Sequence, residues 1–379
     1  MTNRHTLAWW NNCPWILIVL IAIGSVSSLA DSALARGPYQ LADLKALERA
    51  FVKLADDVRP SVVAVRTYVL IGRENRSRVS RRSFSQGSGF VLSADGDIGT
   101  NYHVIEDSDA VTVTLNDGST HDARVVAADH RRDLAVLHID VRGLKPVRFA
   151  DLSKVKPNQW SFAAGNPFGL ANRDGNTSIS WGTVTALGRE MTGALVGNSQ
   201  TEYYGNLIET SSAINPGNSG GPLFNLNGEL IGVVTAIETS SGVNEGAGFA
   251  IPANEDTIRI LRTLQAGEKV RYGFLGVQVA PAPVQTSRRV ARSVAVRGAQ
   301  ISNISPPDGP AGRAGLAEGD IVIAVDGQPV NDPDELVRLI QYKPVGSTTT
   351  LTYLRGQVKR TAKVTLGDRD RLLQATARE

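Results

Sequence analysis

Gly217-Asn218-Ser219-Gly220-Gly221-Pro222 sets one serine in a run of glycines. A hydroxyl is a weak nucleophile until a base takes its proton, and its attack on a carbonyl creates an oxyanion that needs donors. Glycines let neighbouring backbone N–H groups turn inward with no side chain in the way, so Gly217 and Ser219 are the candidate oxyanion donors. The competing reading is a flexible glycine-rich turn. A base must come from five histidines. His121 and His130 lie in polar, turn-like surroundings, and His138 ends an apolar run. His103 sits in Thr100-Asn101-Tyr102-His103-Val104, after Gly87-Ser88-Gly89-Phe90-Val91-Leu92. A carboxylate that orients the base should open a buried strand, and Asp133-Leu134-Ala135-Val136-Leu137 does so. Asp129 and Asp140 compete with it, although neither leads directly into an apolar run. The order His103, Asp133, Ser219 is one of the orders in which the serine triad recurs.

The surroundings are rich in strands. Val62-Val63-Ala64-Val65, Val111-Thr112-Val113-Thr114-Leu115 and Leu230-Ile231-Gly232-Val233-Val234 are strand-like runs, punctuated by turn pairs at Asp95-Gly96, Asp117-Gly118 and Asn227-Gly228. Many short strands with glycine turns over ~190 residues predict an all-β barrel or sandwich. One helix precedes them: Leu41, Leu44, Leu47, Phe51, Leu54 and Val58 recur three and four apart, until Arg59-Pro60 stops the pattern. Arginines crowd the stretch from Arg73 to Arg82, which reads as a solvated basic loop. A polar stretch from Gln265 to Arg271 closes the strand-rich region. A compact α+β pattern follows, with a short helix at Ala311 to Leu316, a strand at Ile321 to Val325 and a second helix at Asp334 to Ile340.

Composition narrows the function classes. The chain has 379 residues, 42% hydrophobic and 20% charged, too apolar for disorder and long enough for two domains. A net charge of +3 over that length gives no ground for nucleic-acid binding. One cysteine and five histidines cannot build a zinc cluster without leaning on carboxylates, so neither a metal nor a cofactor is expected. At the N-terminus Arg4 precedes an apolar run from Trp15 to Ile23, followed by Ala33-Leu34-Ala35. This reads as an export signal cleaved after Ala35, with an uncleaved anchor at residues 15–30 as the alternative. Cleavage would remove Cys13 and leave a mature chain without thiols, able to work in an oxidising compartment without disulfides.

From about Val58 to Pro252 the sequence resembles the HtrA (Deg) family of trypsin-like serine proteases. The motifs already quoted around Ser88, His103 and Asp133 carry the likeness. Gly165-Asn166-Pro167-Phe168-Gly169, Ala213-Ile214-Asn215-Pro216-Gly217-Asn218-Ser219-Gly220-Gly221-Pro222-Leu223 and Gly248-Phe249-Ala250-Ile251-Pro252 complete it. Arg271 to about Gly367 resembles the PDZ domain that follows the protease in this family. The resemblance implies a mainly β protein: a trypsin-like domain of two six-stranded β-barrels, then a small α+β PDZ domain. The expected divisions are 1–35 for the signal, 36–60 for a helical segment, 61–264 for the protease, 271–367 for the PDZ domain and 368–379 for a charged tail.

The resemblance also implies a serine endopeptidase with His103, Asp133 and Ser219 as its triad. Its expected substrates are unfolded or damaged exported proteins, and its expected assembly is a homotrimer or a multiple of trimers. A chaperone-like peptide-binding protein on the same scaffold is the alternative, and the intact triad favours the protease. In trypsin-like barrels the residue six positions before the nucleophile lies at the base of the S1 pocket. Ala213, with Ile214, Val233 and Ile237, predicts an uncharged pocket for small aliphatic side chains. Gly273-Phe274-Leu275-Gly276 resembles the loop that receives a peptide's C-terminal carboxylate. Val277 would begin the strand that pairs with the peptide, and Leu336 and Leu339 would line the pocket for its last side chain. The chain departs from the family at Ser211, where aspartate is usual, and in the long stretch from Ala171 to Ser180.

Overall fold

The structure is a computed structural model that describes residues 41–71, 80–193, 202–235, 247–286, 293–295 and 297–368. The expected export signal, Cys13, most of the arginine-rich loop and the residues after 368 lie outside the described residues. Helix α1 (Leu41–Val58) has the predicted periodicity and runs into a single 3-10 turn at Arg59–Ser61, where Pro60 ends it. Among the described residues no helix is long and apolar enough to cross a membrane.

The first barrel contains β1 (Val62–Ile71), β2 (Ser80–Val91), β3 (Asp97–Thr100), β4 (Ala110–Thr114), β5 (Thr120–Asp129) and β6 (Leu134–His138), with helix α2 (Tyr102–Ile105) between β3 and β4. It closes in the order β1-β2-β3-β6-β5-β4, which leaves no unpaired edge. Val63, Val65, Val91, Ile98, Val113, Ala135 and Leu137 fill its core. Phe90 pairs with Gly99 across β2 and β3. A Cβ at Gly99 would stand 2.6 Å from the Phe90 ring, so the aromatic fits only over a glycine.

The second barrel contains β7 (Arg148–Phe149), β8 (Trp160–Gly165), β9 (Ser178–Gly193), β10 (Glu202–Thr210), β11 (Pro222–Asn225), β12 (Glu229–Thr235) and β13 (Gly248–Pro252). Six strands run β11-β8-β9-β10-β13-β12 and close through β11 and β12, with β7 on the flank of β12. Phe162 packs against Phe224 and Trp181, at ring distances of 5.4 and 4.4 Å. Burying each phenyl group stabilises the barrel by about 1.5–3 kcal/mol.

Helix α3 (Glu255–Gln265) follows, an element that the strand-and-turn reading passed over. Its signals are local: Asn254 caps the Thr257 N–H, and Ile260, Leu261 and Leu264 are buried. Its last residue, Gln265, donates to Asp97 on β3 at 2.7 Å, tying the helix to the first barrel.

The C-terminal module contains β14 (Gly273–Phe274), β15 (Val277–Pro281), β16 (Val284–Thr286), β17 (Ser293–Ala295), β18 (Ala299–Ile304), helix α4 (Pro310–Arg313), β19 (Ile321–Val325), β20 (Gln328–Pro329), helix α5 (Pro333–Ile340), β21 (Thr348–Arg355), β22 (Val358–Thr365) and β23 (Gly367–Asp368). Its main sheet runs β15-β18-β19-β21-β22, with β15 at the edge. Two aromatics join the module to the first barrel. Tyr272 donates its hydroxyl to Asp129, and Arg131 lies over the Tyr272 ring at 4.4 Å. Arg132 lies over the Tyr342 ring at 4.2 Å, and Arg259 of α3 donates to the Tyr342 carbonyl at 2.6 Å.

Candidate active site

Asp133 closes a tight turn with its N–H on the His130 carbonyl, in the left-handed region at φ 56°. That conformation disfavours a side chain, and the surroundings hold it in place. The Asn101 amide donates to the Asp133 carbonyl at 2.7 Å, and the carboxylate is wholly buried. A buried carboxylate needs donors. Oδ1 accepts the His103 backbone N–H at 3.0 Å, and Oδ2 lies 2.8 Å from His103 Nδ1. Thr235, at the end of β12, donates its hydroxyl to Oδ2 at 3.2 Å. A carboxylate accepting from Nδ1–H fixes the imidazole tautomer and leaves Nε2 as the basic nitrogen.

Ser219 reaches the same junction from the second barrel. Just after it, Gly220 N–H donates to the Val234 carbonyl and Val234 N–H to the Gly221 carbonyl, each at 2.8 Å. The next residue after Val234 is the Thr235 that holds Asp133. On the other flank the Ser219 carbonyl accepts the Ser88 N–H at 2.8 Å, and the Ser88 carbonyl accepts the Thr100 hydroxyl at 2.7 Å. Thr100 lies three residues before His103. The Ser219 turn is thus bonded both to the strand that supports the Asp133 carboxylate and to the strand that leads into His103.

Among the described residues, His121, His138, Asp97, Asp140 and Asp129 have partners of their own. His121 lies 2.9 Å from the Ser119 hydroxyl, and His138 pairs with Asp97 at 2.8 Å and Asp140 at 3.6 Å. Hydrogen bonds from His138, Gln265 and Ser93 hold Asp97 below the ordinary carboxylate range, against the opposing pull of its burial. Asp129 accepts the Tyr272 hydroxyl. Burial pushes its carboxyl up to about 6, against the opposing pull of the Arg131 N–H and the charges of His130, Arg131 and Arg132.

Residues 87–233 match the family described as the trypsin-like peptidase domain, and residues 306–355 match the PDZ domain. A solved HtrA-type protease, AlgW with a tripeptide, is 30% identical and superposes with a TM-score of 0.65, covering 84% of this chain and 97% of that one. The chain belongs to the HtrA family of serine proteases. A Halomonas elongata protein named a probable periplasmic serine endoprotease DegP-like is 41% identical over 75% of this chain. A Pseudomonas putida protein of the same name is 33% identical over 92% of it. The chain spans about half the length of the Halomonas relative, 56% of it.

Within this HtrA-family chain the remaining predicted positions divide. Ala213 is exposed and donates its N–H to Ser180 at 2.7 Å, whereas Ile214 belongs to the core of the second barrel and Val233 is fully buried. Ile237 lies outside the described residues. In the PDZ domain the Gly273 N–H is already committed to the Lys343 carbonyl at 2.7 Å, so Gly273 serves the fold and offers no donor to a carboxylate. Leu275 lies in the domain core beside Leu336, and half-buried Leu339 packs against them. Leu336 is a core residue because the short helix α5 must bury one face, and Leu336 and Ile340 are its two buried residues. Gly276 turns at φ +79°, and Val277 begins the edge strand β15.

Sequence reading had missed Thr235 and Asn101, which both donate to Asp133, since neither carries a signal of its own. At the departure from the family, Ser211 accepts the Thr183 N–H at 2.9 Å through its hydroxyl.

Proposed function

We propose that the protein is a periplasmic serine endopeptidase in which Ser219 is the nucleophile, His103 the base and Asp133 the group that orients it. The observation that carries this reading is the buried Asp133 carboxylate, held by Thr235 and a backbone N–H and set against His103 Nδ1. Nε2 takes the Ser219 proton while Oγ adds to the substrate carbonyl carbon, and the carbonyl electron pair moves onto oxygen. The Gly217 and Ser219 N–H groups stabilise that oxyanion. Collapse expels the amine, which takes the proton back from His103 and leaves an acyl-enzyme. Water then repeats the cycle and releases the acid. Substrates are unfolded or damaged segments of exported proteins, because cleavage needs an extended backbone that a folded chain does not present.

The PDZ domain receives peptide C-termini along the open edge of β15, and the assembly is a homotrimer. The protease spans residues 61–264 and the PDZ domain 271–367. The test is degradation of casein by the purified protein, with and without a serine-directed inhibitor, beside Ser219→Ala. Turnover should fall by several orders of magnitude in the variant. Casein cleavage by Ser219→Ala at the wild-type rate would end the assignment.

A further inference from the structure

Two of the motifs, Gly87-Ser88-Gly89-Phe90 and Gly165-Asn166-Pro167-Phe168-Gly169, supply none of the three proposed triad side chains, yet both converge on the peptide units around Gly217. Ser88 is fully buried and every polar atom it has is used. Besides its two backbone bonds to Ser219 and Thr100, its hydroxyl donates to the Gly217 carbonyl at 2.6 Å and accepts the Asn166 N–H at 2.8 Å. From the other direction the Phe168 N–H donates to the Pro216 carbonyl at 2.8 Å.

Gly217 therefore has both of its peptide units held. In a trans peptide the C=O and the N–H point opposite ways, so fixing the Pro216 carbonyl aims the Gly217 N–H. Fixing the Gly217 carbonyl removes the remaining freedom at ψ, which a glycine at φ +100° otherwise keeps. Asn166 is an anchored support. Its side-chain oxygen accepts the Ala171 N–H at 2.7 Å, and its amide donates to Asn172 at 3.0 Å and to the Gly87 carbonyl at 3.3 Å.

We infer that the Ser88 hydroxyl, seated on Asn166, is a positioning group that holds Gly217 in the conformation that oxyanion binding requires. The inference rests on the proposed roles of Ser219 and Gly217. Ser88 contacts no reacting atom; it acts through the carbonyl of Gly217. Removing its hydroxyl leaves the Gly217 carbonyl without its donor and the Asn166 N–H without its acceptor, and frees Gly217 to rotate.

The test compares full-length Ser88→Ala with Ser161→Ala. Ser161 is an equally buried residue whose hydroxyl pairs with Thr210 in the second barrel and has no bond to the nucleophile turn. A fluorogenic peptide gives kcat and KM. A peptide boronate, which adds the serine oxygen to form a tetrahedral adduct, reports on the oxyanion site. In Ser88→Ala kcat should fall about tenfold to a hundredfold, boronate affinity should fall by the same factor, and KM should stay within about threefold. Ser161→Ala should lower the melting temperature without that paired loss. If Ser88→Ala does not yield folded protein, Ser88→Cys carries the same expectation, because a thiol fills the space but is a weak donor. A variant with wild-type kcat, or one that loses kcat while keeping boronate affinity, overturns the inference alone. Absence of Ser219-dependent turnover in the wild type overturns the protease reading with it.

Discussion

Replacing Asp129 with asparagine tests the contact between the first barrel and the PDZ domain. Asp129 is buried at the end of β5, four residues before Asp133, and accepts the Tyr272 hydroxyl. Its carboxyl rises from the ordinary value of 3.8 to about 6 because burial outweighs the pull of His130, Arg131 and Arg132. Below the ordinary value both folded and unfolded chains hold the proton. Between 3.8 and about 6 the folded chain keeps a proton that the unfolded chain has released. Raising the pH through that window therefore removes stability from the folded state, and above it the loss is complete. A shift of about two units corresponds to on the order of 3 kcal/mol at neutral pH.

Asparagine keeps an acceptor for Tyr272 and carries no charge, so Asp129→Asn should be the more stable protein at pH 7. The gap should close as the pH falls toward 4. Urea unfolding followed by circular dichroism, in a Ser219→Ala background to prevent self-cleavage, measures it from pH 4 to 8. A wild-type minus variant difference that stays flat across that range would refute the reasoning. So would a variant less stable at pH 7.

Thr235→Val removes a donor from the Asp133 carboxylate and should lower kcat about tenfold with little change in KM, measured on the same fluorogenic peptide. Gly217→Ala would place a methyl group 2.3 Å from the Asn166 carbonyl oxygen at a left-handed φ, so the turn must move. Its activity should approach that of Ser219→Ala, and retention of half the wild-type kcat would contradict the packing. A peptide ending in an apolar residue should bind full-length Ser219→Ala more tightly as the free acid than as the amide, by fluorescence anisotropy. Equal affinities would remove the loop around Gly276 as a carboxylate site. Mapped cut sites should follow Val, Ala or Ile, since an uncharged pocket leaves a buried Arg or Lys without a partner.

Much of this protein was legible before folding was considered. Strand periodicity and glycine turns located β1, β4, β6 and β12 of the two barrels, and Ile321 to Val325 proved to be a strand with the expected bounds. The glycines around Ser219 and the apolar run after Asp133 marked the candidate site because those constraints are local: a turn needs glycine and a buried strand needs apolar residues. Helix α3 was missed although its cap and spacing are just as local, because the surrounding strands set the expected period.

Long-range partnership is what folding alone decided. Asp129 and Asp133 are both aspartates beside a β-strand, yet one meets a tyrosine from the PDZ domain and the other the histidine. Thr235 reads as one more strand residue until β12 lies beside the first barrel, and Leu336 reads as a pocket residue until α5 buries it. Ser88 and Gly217 stand 129 positions apart and meet at 2.6 Å. A sequence states which side chains can bury or donate. Only the closed barrels determine which donor each buried acceptor receives, because that depends on distances set by strand pairing across the whole chain.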